Sequence, residues 1–450
     1  MIKKVKYLIF FLLFILIVAC SFGDRSGIWT GSEEEKRRMS QLERDQQGRI
    51  EVIKIHKAKT IYSKEIPAVK NAVLTTPQKN NSWQMPGLNL QNFAGNIYLP
   101  NIENNFLKKK IGKNKFPFSK LISTPLILKN NIILTDDTGT IFNINLNGKL
   151  NWKKNIYKKV YKKIYKNLTF SVYKDKIYIA DNIGFIYAVS LENGKLIWIK
   201  NHGVGLRSKI KVFDDKIFLI NQDNRVICIS IEEGSKIWDF RSVSSFIKSQ
   251  QYSGLAISKK GELVLLSSSG DLLKIDTSFG RVYWSLNTTD SMLAHDTDFF
   301  ASSDIVIAEN NIIFSTLTST FSYNLNNGYR NWKASIGSKN TPIVDGENVF
   351  LISDNGYFVN LDKRSGTIIW STNILKVLKK KNQKTQITGF IMGSGKIYAV
   401  SKNGHLIVCS AVTGKIEYFR KIGDPITTSP IISNESLYIL TKRSRIFGFN

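Results

Sequence analysis

Cysteine is nearly absent, with 3 residues in 450. A disulfide-stapled scaffold is thereby excluded, and stability has to come from a buried core; 450 residues suffice for one large domain or several small ones. Histidine is as scarce. His56, His202, His295 and His405 are the four, and none stands with Cys, Asp or Glu at metal-ligand spacing. There is no Gly-x-Ser-x-Gly nucleophile motif, no phosphate-binding glycine loop and no His-Glu-x-x-His pair. These absences remove the commonest signatures of hydrolases, nucleotide enzymes and zinc proteases. Acidic residues are the third deficit: 35 Asp and Glu face 64 Lys and Arg, for a formal charge of +29. Such a charge attracts polyanions, yet the lysines spread evenly along the chain rather than forming a nucleic-acid patch. Attraction to an anionic membrane surface is compatible with it.

No apolar run spans a bilayer either. Tyr7 to Ala19 is uninterrupted, but a spanning helix needs roughly 20 residues. Preceded by Lys3, Lys4 and Lys6, it fits a secretory signal peptide over residues 1–19. The run ends Ile17-Val18-Ala19-Cys20, which resembles the lipobox of bacterial lipoproteins, with Ile17 where Leu is commoner. That resemblance implies cleavage before Cys20, acylation of its sulfur and amine, and membrane attachment through the acyl chains. Ser21 is not acidic, which by the enterobacterial sorting rule implies the outer membrane, with the protein facing the periplasm. Export also argues against nucleic acid as a partner.

One short pattern recurs through the rest of the chain: Gly, three residues, Trp. It stands at Gly148/Trp152, Gly194/Trp198, Gly234/Trp238, Gly280/Trp284, Gly328/Trp332 and Gly366/Trp370, with Gly414/Tyr418 as a seventh copy. Six of the eight tryptophans fall at this offset, so placement by chance is excluded. The copies recur roughly every 40 residues, the spacing of a propeller blade. Within each, short β-rich runs are separated by tight turns such as Asn355-Gly356 and Ser365-Gly366, which tolerate positive φ. The unit is a four-stranded antiparallel meander, and the all-β fold is a propeller. Strand faces are apolar on both sides, as in Phe185 to Leu191, as a sheet between two neighbouring sheets requires. The aromatic residue of the repeat lies two residues beyond Leu150, Leu196, Val282, Ile368 or Ile416 in five of the seven copies, and strand alternation puts the two on one face for blade-to-blade packing.

The last copy supplies only three strands before Asn450. Asn105 to Gly112 has strand character and no partners of its own, so it is expected to fill the missing outer strand and close an eight-bladed ring by pairing the N- and C-terminal ends. Residues 83–450 form the propeller on this reading, and 20–82 form a tether between it and the lipid. Within the tether, Ser32 to Gln47 is expected as a helix behind a capping-box-like Ser32-x-x-Glu35, Arg49 to His56 as a strand, and Ile66 to Ser82 as loop. Two lysine clusters, Lys158–Lys166 and Lys376–Lys384, are expected to be solvated connectors, with contact to anionic lipid headgroups or an acidic partner as the alternative. Cys228 and Cys409 fall in third strands of blades three and seven, opposite each other in such a ring, so they are expected to be unbonded core residues.

Blade six, Leu361-Asp362-Lys363-Arg364-Ser365-Gly366-Thr367-Ile368-Ile369-Trp370, closely resembles the quinoprotein propeller repeat. Enzymes of that superfamily carry pyrroloquinoline quinone, calcium and an adjacent-cysteine disulfide, and no Cys-Cys pair exists here. Lipobox, tether and eight such blades together resemble the BamB family, a non-enzymatic scaffold lipoprotein of the outer-membrane β-barrel assembly machinery that needs no cofactor. The resemblance implies docking, as one copy within a hetero-complex, on a periplasmic domain of the barrel-inserting subunit, through the loops that open blades four and five. In the fifth-blade loop Asp296-Thr297-Asp298 matches the family's Asp-x-Asp. In the fourth-blade loop Phe246, Ile247, Lys248 and Gln250 stand where the family carries Leu-x-Leu-Arg, so the apolar anchor is kept and the bidentate Arg is not. The alternatives are a quinone-dependent dehydrogenase and a propeller that binds a small ligand or cell-wall glycan in an acid- or aromatic-lined central funnel.

If the acyl chains are the one strong anchor, Cys20→Ser will move the protein from the membrane fraction to the soluble periplasm. Retention of the variant through a high-salt wash, followed by fractionation and immunoblotting, would show another anchor.

Overall fold

The paired turn residues do what their backbone freedom allows: they fold successive runs of five or six β-formers into antiparallel ladders. The computed structural model describes residues 33–47, 62–116, 123–241, 253–288 and 301–450. Among them are eight four-stranded antiparallel sheets. Blade one comprises Leu126–Ile127, Asn131–Thr135, Thr140–Asn145 and Leu150–Asn155. Blades two to seven begin at Leu168, Lys211, Gly254, Val306, Ile343 and Ile387 and end at Asn201, Arg241, Asn287, Ala334, Asn373 and Lys421. In each, strand order is sequence order from the innermost strand outward. Blade eight takes Ile431–Ser433, Ser436–Leu440 and Arg445–Phe449 from the C-terminal end and its outer strand from Asn105–Lys110. That strand runs antiparallel to Arg445–Phe449, with Lys110 opposite Arg445 and Asn105 opposite Phe449. Asn104 and Asn450 exchange backbone hydrogen bonds just beyond it. The ring therefore closes as the strand count required.

Second and third strands carry the core. In blade two Ile177, Ile179, Ile186, Tyr187 and Val189 have no exposed surface. Each apolar cluster joins two consecutive blades, as where Tyr178, Ala180 and Ile186 of blade two meet Ile217, Leu219 and Ile229 of blade three. Cys228 and Cys409 sit in this core, free and buried, on blades three and seven. Burial pushes both thiols up to about 12, so neither is a nucleophile at neutral pH.

The recurring Gly and Trp are one contact seen from its two ends. A Cβ built on Gly194 would lie 2.6 Å from the Trp152 ring of the preceding blade, and the same holds for Gly234 under Trp198 and Gly366 under Trp332 (2.6 and 2.5 Å). The indole then donates its Nε1 proton to a carbonyl of that next blade: Trp152 to Leu191 O at 3.0 Å, Trp198 to Ile231 O at 2.9 Å, Trp332 to Lys363 O at 2.8 Å. At the seam the outer strand from the N-terminal side substitutes, with Leu107 and Lys109 over Gly148. The expected shared face of Trp and the residue two before it is corrected here. Every outer strand of blades one to seven carries a bulge between those positions. Trp152 is opposite Asn143 and Leu150 opposite Ile144, neighbours that point to opposite faces. Leu150, Leu196 and Val282 consequently lie at the surface while the tryptophans turn inward.

A separate small unit contains α1 (Glu33–Gln47), as the capping-box pattern predicts, and the 3-10 turn Lys159–Lys163, where Tyr161 Oη donates to Glu35 Oε1 at 3.3 Å. The expected strand over Arg49 to His56 lies outside the described residues.

Gly194→Ala and Gly203→Ala share a left-handed φ of 69° and 81°, but nothing lies within 4 Å of the Cβ site at Gly203. The Gly203 change is expected to cost roughly 1 kcal/mol of backbone strain. The Gly194 change adds overpacking against the indole, for about 2–4 kcal/mol in all. Urea unfolding of the two variants side by side measures the difference; equal midpoints would show that the Trp-on-Gly contact carries no energy.

Candidate protein-docking rim

In blades two, five, six and seven the turn between strands two and three lies beside the chain that leads into the next blade. Leu206 N donates to Asp181 O, Ser338 N to Thr316 O, Ile374 N to Gly356 O and Ile422 N to Gly404 O. These turns and lead-in segments therefore share one rim of the ring. The loops that open blades four and five, 242–252 and 289–300, lie outside the described residues, and so do Phe246, Ile247, Lys248, Gln250, Asp296 and Asp298, as does Cys20. Their described flanks are tightly knit. Ser253, immediately before blade four, donates its N–H to Arg207 O at 2.8 Å. Asp304, immediately before blade five, is ion-paired to Lys209 of blade three and accepts from Thr341 Oγ1 of blade six at 3.4 Å. One mostly buried carboxylate thus ties together the lead-in segments of three blades. On the same rim, Leu317 in the turn between strands two and three of blade five is 47% exposed. Sequence reasoning passed over Asp304, Lys209 and Leu317, because a lone residue beside a strand has no pattern of its own.

The opposite mouth of the ring is covered by the chain itself. Residues 72–99 hydrogen-bond in turn to the innermost strand, or the turn after it, of all eight blades. Trp83 pairs with Ile127 of blade one; Val172 N donates to Gln84 O; Ile257 N to Leu90 O; Ile307 N to Gln91 O; Thr75 N to Asp345 Oδ2; Ile97 N to Met392 O; and Asn434 N to Asn80 O. Blade three contributes a side chain. Lys211, fully buried, donates to Pro86 O at 2.8 Å, Asn89 O at 2.6 Å and Asn92 Oδ1 at 2.7 Å. Asn92 Nδ2 in turn donates to Leu255 O and Ile305 O of blades four and five. This segment begins inside the stretch expected as tether. Tyr62 Oη already meets Ser371 Oγ at 2.9 Å, and Ile66 pairs with Ser371 on blade six, so residues 62–82 run along the propeller.

Two cavities bordered by described residues are small or polar. One, of about 10 Å³, has room for a single water. It is lined by Asp136, Asp137 and Lys166 among others; burial pushes the Asp137 carboxyl up and the Lys166 ammonium down to about 8. The other, of about 480 Å³, is an open cleft of asparagines and Glu103 and Glu435 beside the blade-eight seam. Neither has the apolar lining of a small-molecule site. Among the described residues no group of three or more His, Cys, Asp or Glu could hold a metal ion.

Comparison with known proteins follows this geometry. Residues 113–203 and 175–372 match the family described as outer membrane protein assembly factor BamB. The protein of that name from Legionella pneumophila (strain Paris) is 22% identical over 189 residues, 41% of this chain and 47% of that one, so the match spans about half its length. That from Moranella endobia (strain PCIT) is 22% identical over 296 residues, 61% and 72% of the two chains. Among solved structures, BamB from Moraxella catarrhalis superposes with a TM-score of 0.64 at 11% identity, over 77% of this chain and 99% of that one. Quinohemoprotein alcohol dehydrogenase from Comamonas testosteroni gives 0.61 at 11% identity, over 80% and 76%. At such identities the superpositions establish the propeller fold, which scaffolds and oxidoreductases share.

The Lys211 latch has a pH signature. Burial, with Lys209 nearby, pushes its ammonium down to about 7, far below the ordinary lysine value of about 10.4. Between those values the unfolded chain keeps a proton the folded chain has released, so this residue's contribution to stability rises with pH from about 7 upward. Lys211→Met should remove that rise. It should also lower stability at pH 7 by roughly 2–4 kcal/mol, because three oxygens lose their donor. Melting temperatures of both proteins from pH 6 to 9.5 test it; parallel curves would refute a depressed lysine.

Proposed function

The chain belongs to the family of outer membrane protein assembly factor BamB, and from that premise we propose that it is a non-enzymatic scaffold lipoprotein of the outer-membrane β-barrel assembly machinery. It is held to the periplasmic face of the outer membrane by acyl chains on Cys20 and docks on a periplasmic domain of the barrel-inserting subunit. The observation that carries this reading is the extent of the family match. It runs from 113 to 372 through blades one to six, and so includes both loops that open blades four and five.

A scaffold needs a shape that does not change when it binds. Closure by Asn105–Lys110 and the plug of residues 72–99 supply it, while the Ser253–Arg207 bond and the Asp304–Lys209 pair each hold a flank of one of the two loops. On this platform Phe246 and Ile247 serve as the apolar anchor, with Lys248 and Gln250 as polar neighbours. Asp296 and Asp298 meet basic groups of the partner. Interfaces of this kind concentrate their energy in a few side chains. The dehydrogenase alternative has only the shared propeller in its favour. A central funnel for a small ligand or glycan would have one of its mouths closed by the chain's own backbone.

Asp296→Arg/Asp298→Arg is expected to weaken capture of the barrel-inserting subunit about tenfold or more, which corresponds to about 1.4 kcal/mol. The fold should survive, as circular dichroism will report. Lys379→Glu/Lys380→Glu, a reversal of the same size in the connector between blades six and seven, should bind as the unmodified protein does. Full binding by the aspartate variant would remove the pair from the interface.

A further inference from the structure

The perimeter of the ring is electrically lopsided. The outer strands of blades eight, one and two, with the turn residues before them, hold Lys108, Lys109, Lys110, Lys149, Lys153, Lys154, Lys195 and Lys200. No Asp or Glu lies within 105–110, 149–155 or 195–201. All eight lysines are exposed, and none forms an ion pair among the described residues, whereas the outer strands of blades three and seven each carry an acidic residue among their cations. In blade three, Asp239 pairs with Arg225 and Lys236. In blade seven, Glu417 pairs with Lys396.

Lysines on an outer strand can simply guard a free edge against pairing with another chain. That need is the same for every blade, yet the outer strand of blade six with the residue before it, 367–373, carries no Lys or Arg, and that of blade four, 281–287, carries Arg281 alone. Edge protection does not account for eight cations on three consecutive blades. The three strands form one continuous surface: Leu107 and Lys109 pack on the Gly148 turn of blade one, and Trp152 packs on the Gly194 turn of blade two. Between the ammonium groups stand aliphatic side chains, Leu150, Leu196, Ile197 and Ile199, each 37–46% exposed.

We propose that the outer edge of blades eight, one and two is a lipid-binding face that rests on an anionic membrane surface. Lysines beside exposed aliphatic groups suit such a surface, where ammonium groups meet phosphates and the aliphatic groups enter the headgroup region. In an eight-membered ring, blades eight and one lie diametrically across from blades four and five. The face therefore leaves the rim proposed for docking free, and the protein can hold membrane and partner at once.

The test uses the full chain carrying Cys20→Ser, so that acylation does not mask the contact, and co-flotation with vesicles. It should float with vesicles of phosphatidylethanolamine and phosphatidylglycerol at about 0.1 M salt, stay behind with phosphatidylcholine alone, and be released by about 0.5 M salt. Each near-surface lysine contributes roughly fivefold. Lys109→Ser/Lys153→Ser/Lys154→Ser/Lys200→Ser should thus lower partitioning at least about a hundredfold without changing the melting temperature. Lys379→Ser/Lys380→Ser/Lys381→Ser/Lys384→Ser, with the same loss of charge, should float as before. Equal loss in both variants would reduce the effect to net charge and overturn the proposal. So would equal binding to phosphatidylcholine, no binding to anionic vesicles, or tighter binding of these lysines to duplex RNA than to vesicle phosphate. Capture of the barrel-inserting subunit by the lysine variant, unchanged in every case, keeps this result separate from the docking reading.

Discussion

An indole ring laid on the glycine of the neighbouring blade is the contact on which the ring depends. It sets three requirements at once. The glycine has to lack a Cβ, because one would stand 2.5–2.7 Å from the ring at five of the six tryptophan junctions and 3.0 Å from it at the sixth. The outer strand has to bulge, so that the tryptophan turns toward the next blade while the residue two before it turns away. The carbonyl that receives the indole proton has to lie where the next blade's third strand turns into its fourth, as it does for five of the six tryptophans. Repetition of one contact around a circle also demands that the circle close, and the strand Asn105–Lys110 satisfies that at the seam, where Leu107 and Lys109 take the place of the indole.

Closure at the perimeter is matched by closure at the axis. Eight innermost strands meet around a channel with free backbone groups at its mouths, and buried backbone groups need partners. Residues 72–99 supply them blade by blade at one mouth, with the Lys211 ammonium as the most deeply buried knot. On the other rim, Asp304 ties the described lead-in segments of blades three, five and six together. Chemistry that needs a deep central funnel is disfavoured by such a plan, and recognition along a rim is favoured. The perimeter adds a third surface, distinct from both, where unpaired lysines are concentrated on one side.

Much of this was legible in advance, and for identifiable reasons. The Gly-x-x-x-Trp spacing reports the inter-blade contact directly, since both partners are residue types with few substitutes. The turn pairs report the hairpins. The missing fourth strand of the last blade and the orphan strand at Asn105 report each other. What misled was strand alternation: period two holds only in an unbroken ladder, and the bulge at every outer strand reverses the facing of Leu150 and its counterparts. The docking residues Phe246, Ile247, Lys248, Gln250, Asp296 and Asp298 were reached by resemblance, and the described structure reaches only their flanks.

By itself, then, the sequence determined the blade, the number of blades, the way the ring closes and the burial of Cys228 and Cys409, because each follows from local pattern repeated along the chain. Tertiary structure alone decided that residues 62–99 run along and plug the propeller, that Lys211 is a buried latch while Lys216 nearby is a surface lysine, and that eight lysines from three distant segments form one face. Those features join residues far apart in the chain, as with Lys211 and Asn89 or Lys109 and Gly148. Neither periodicity nor turn chemistry carries information about contacts that arise only when the ring has closed.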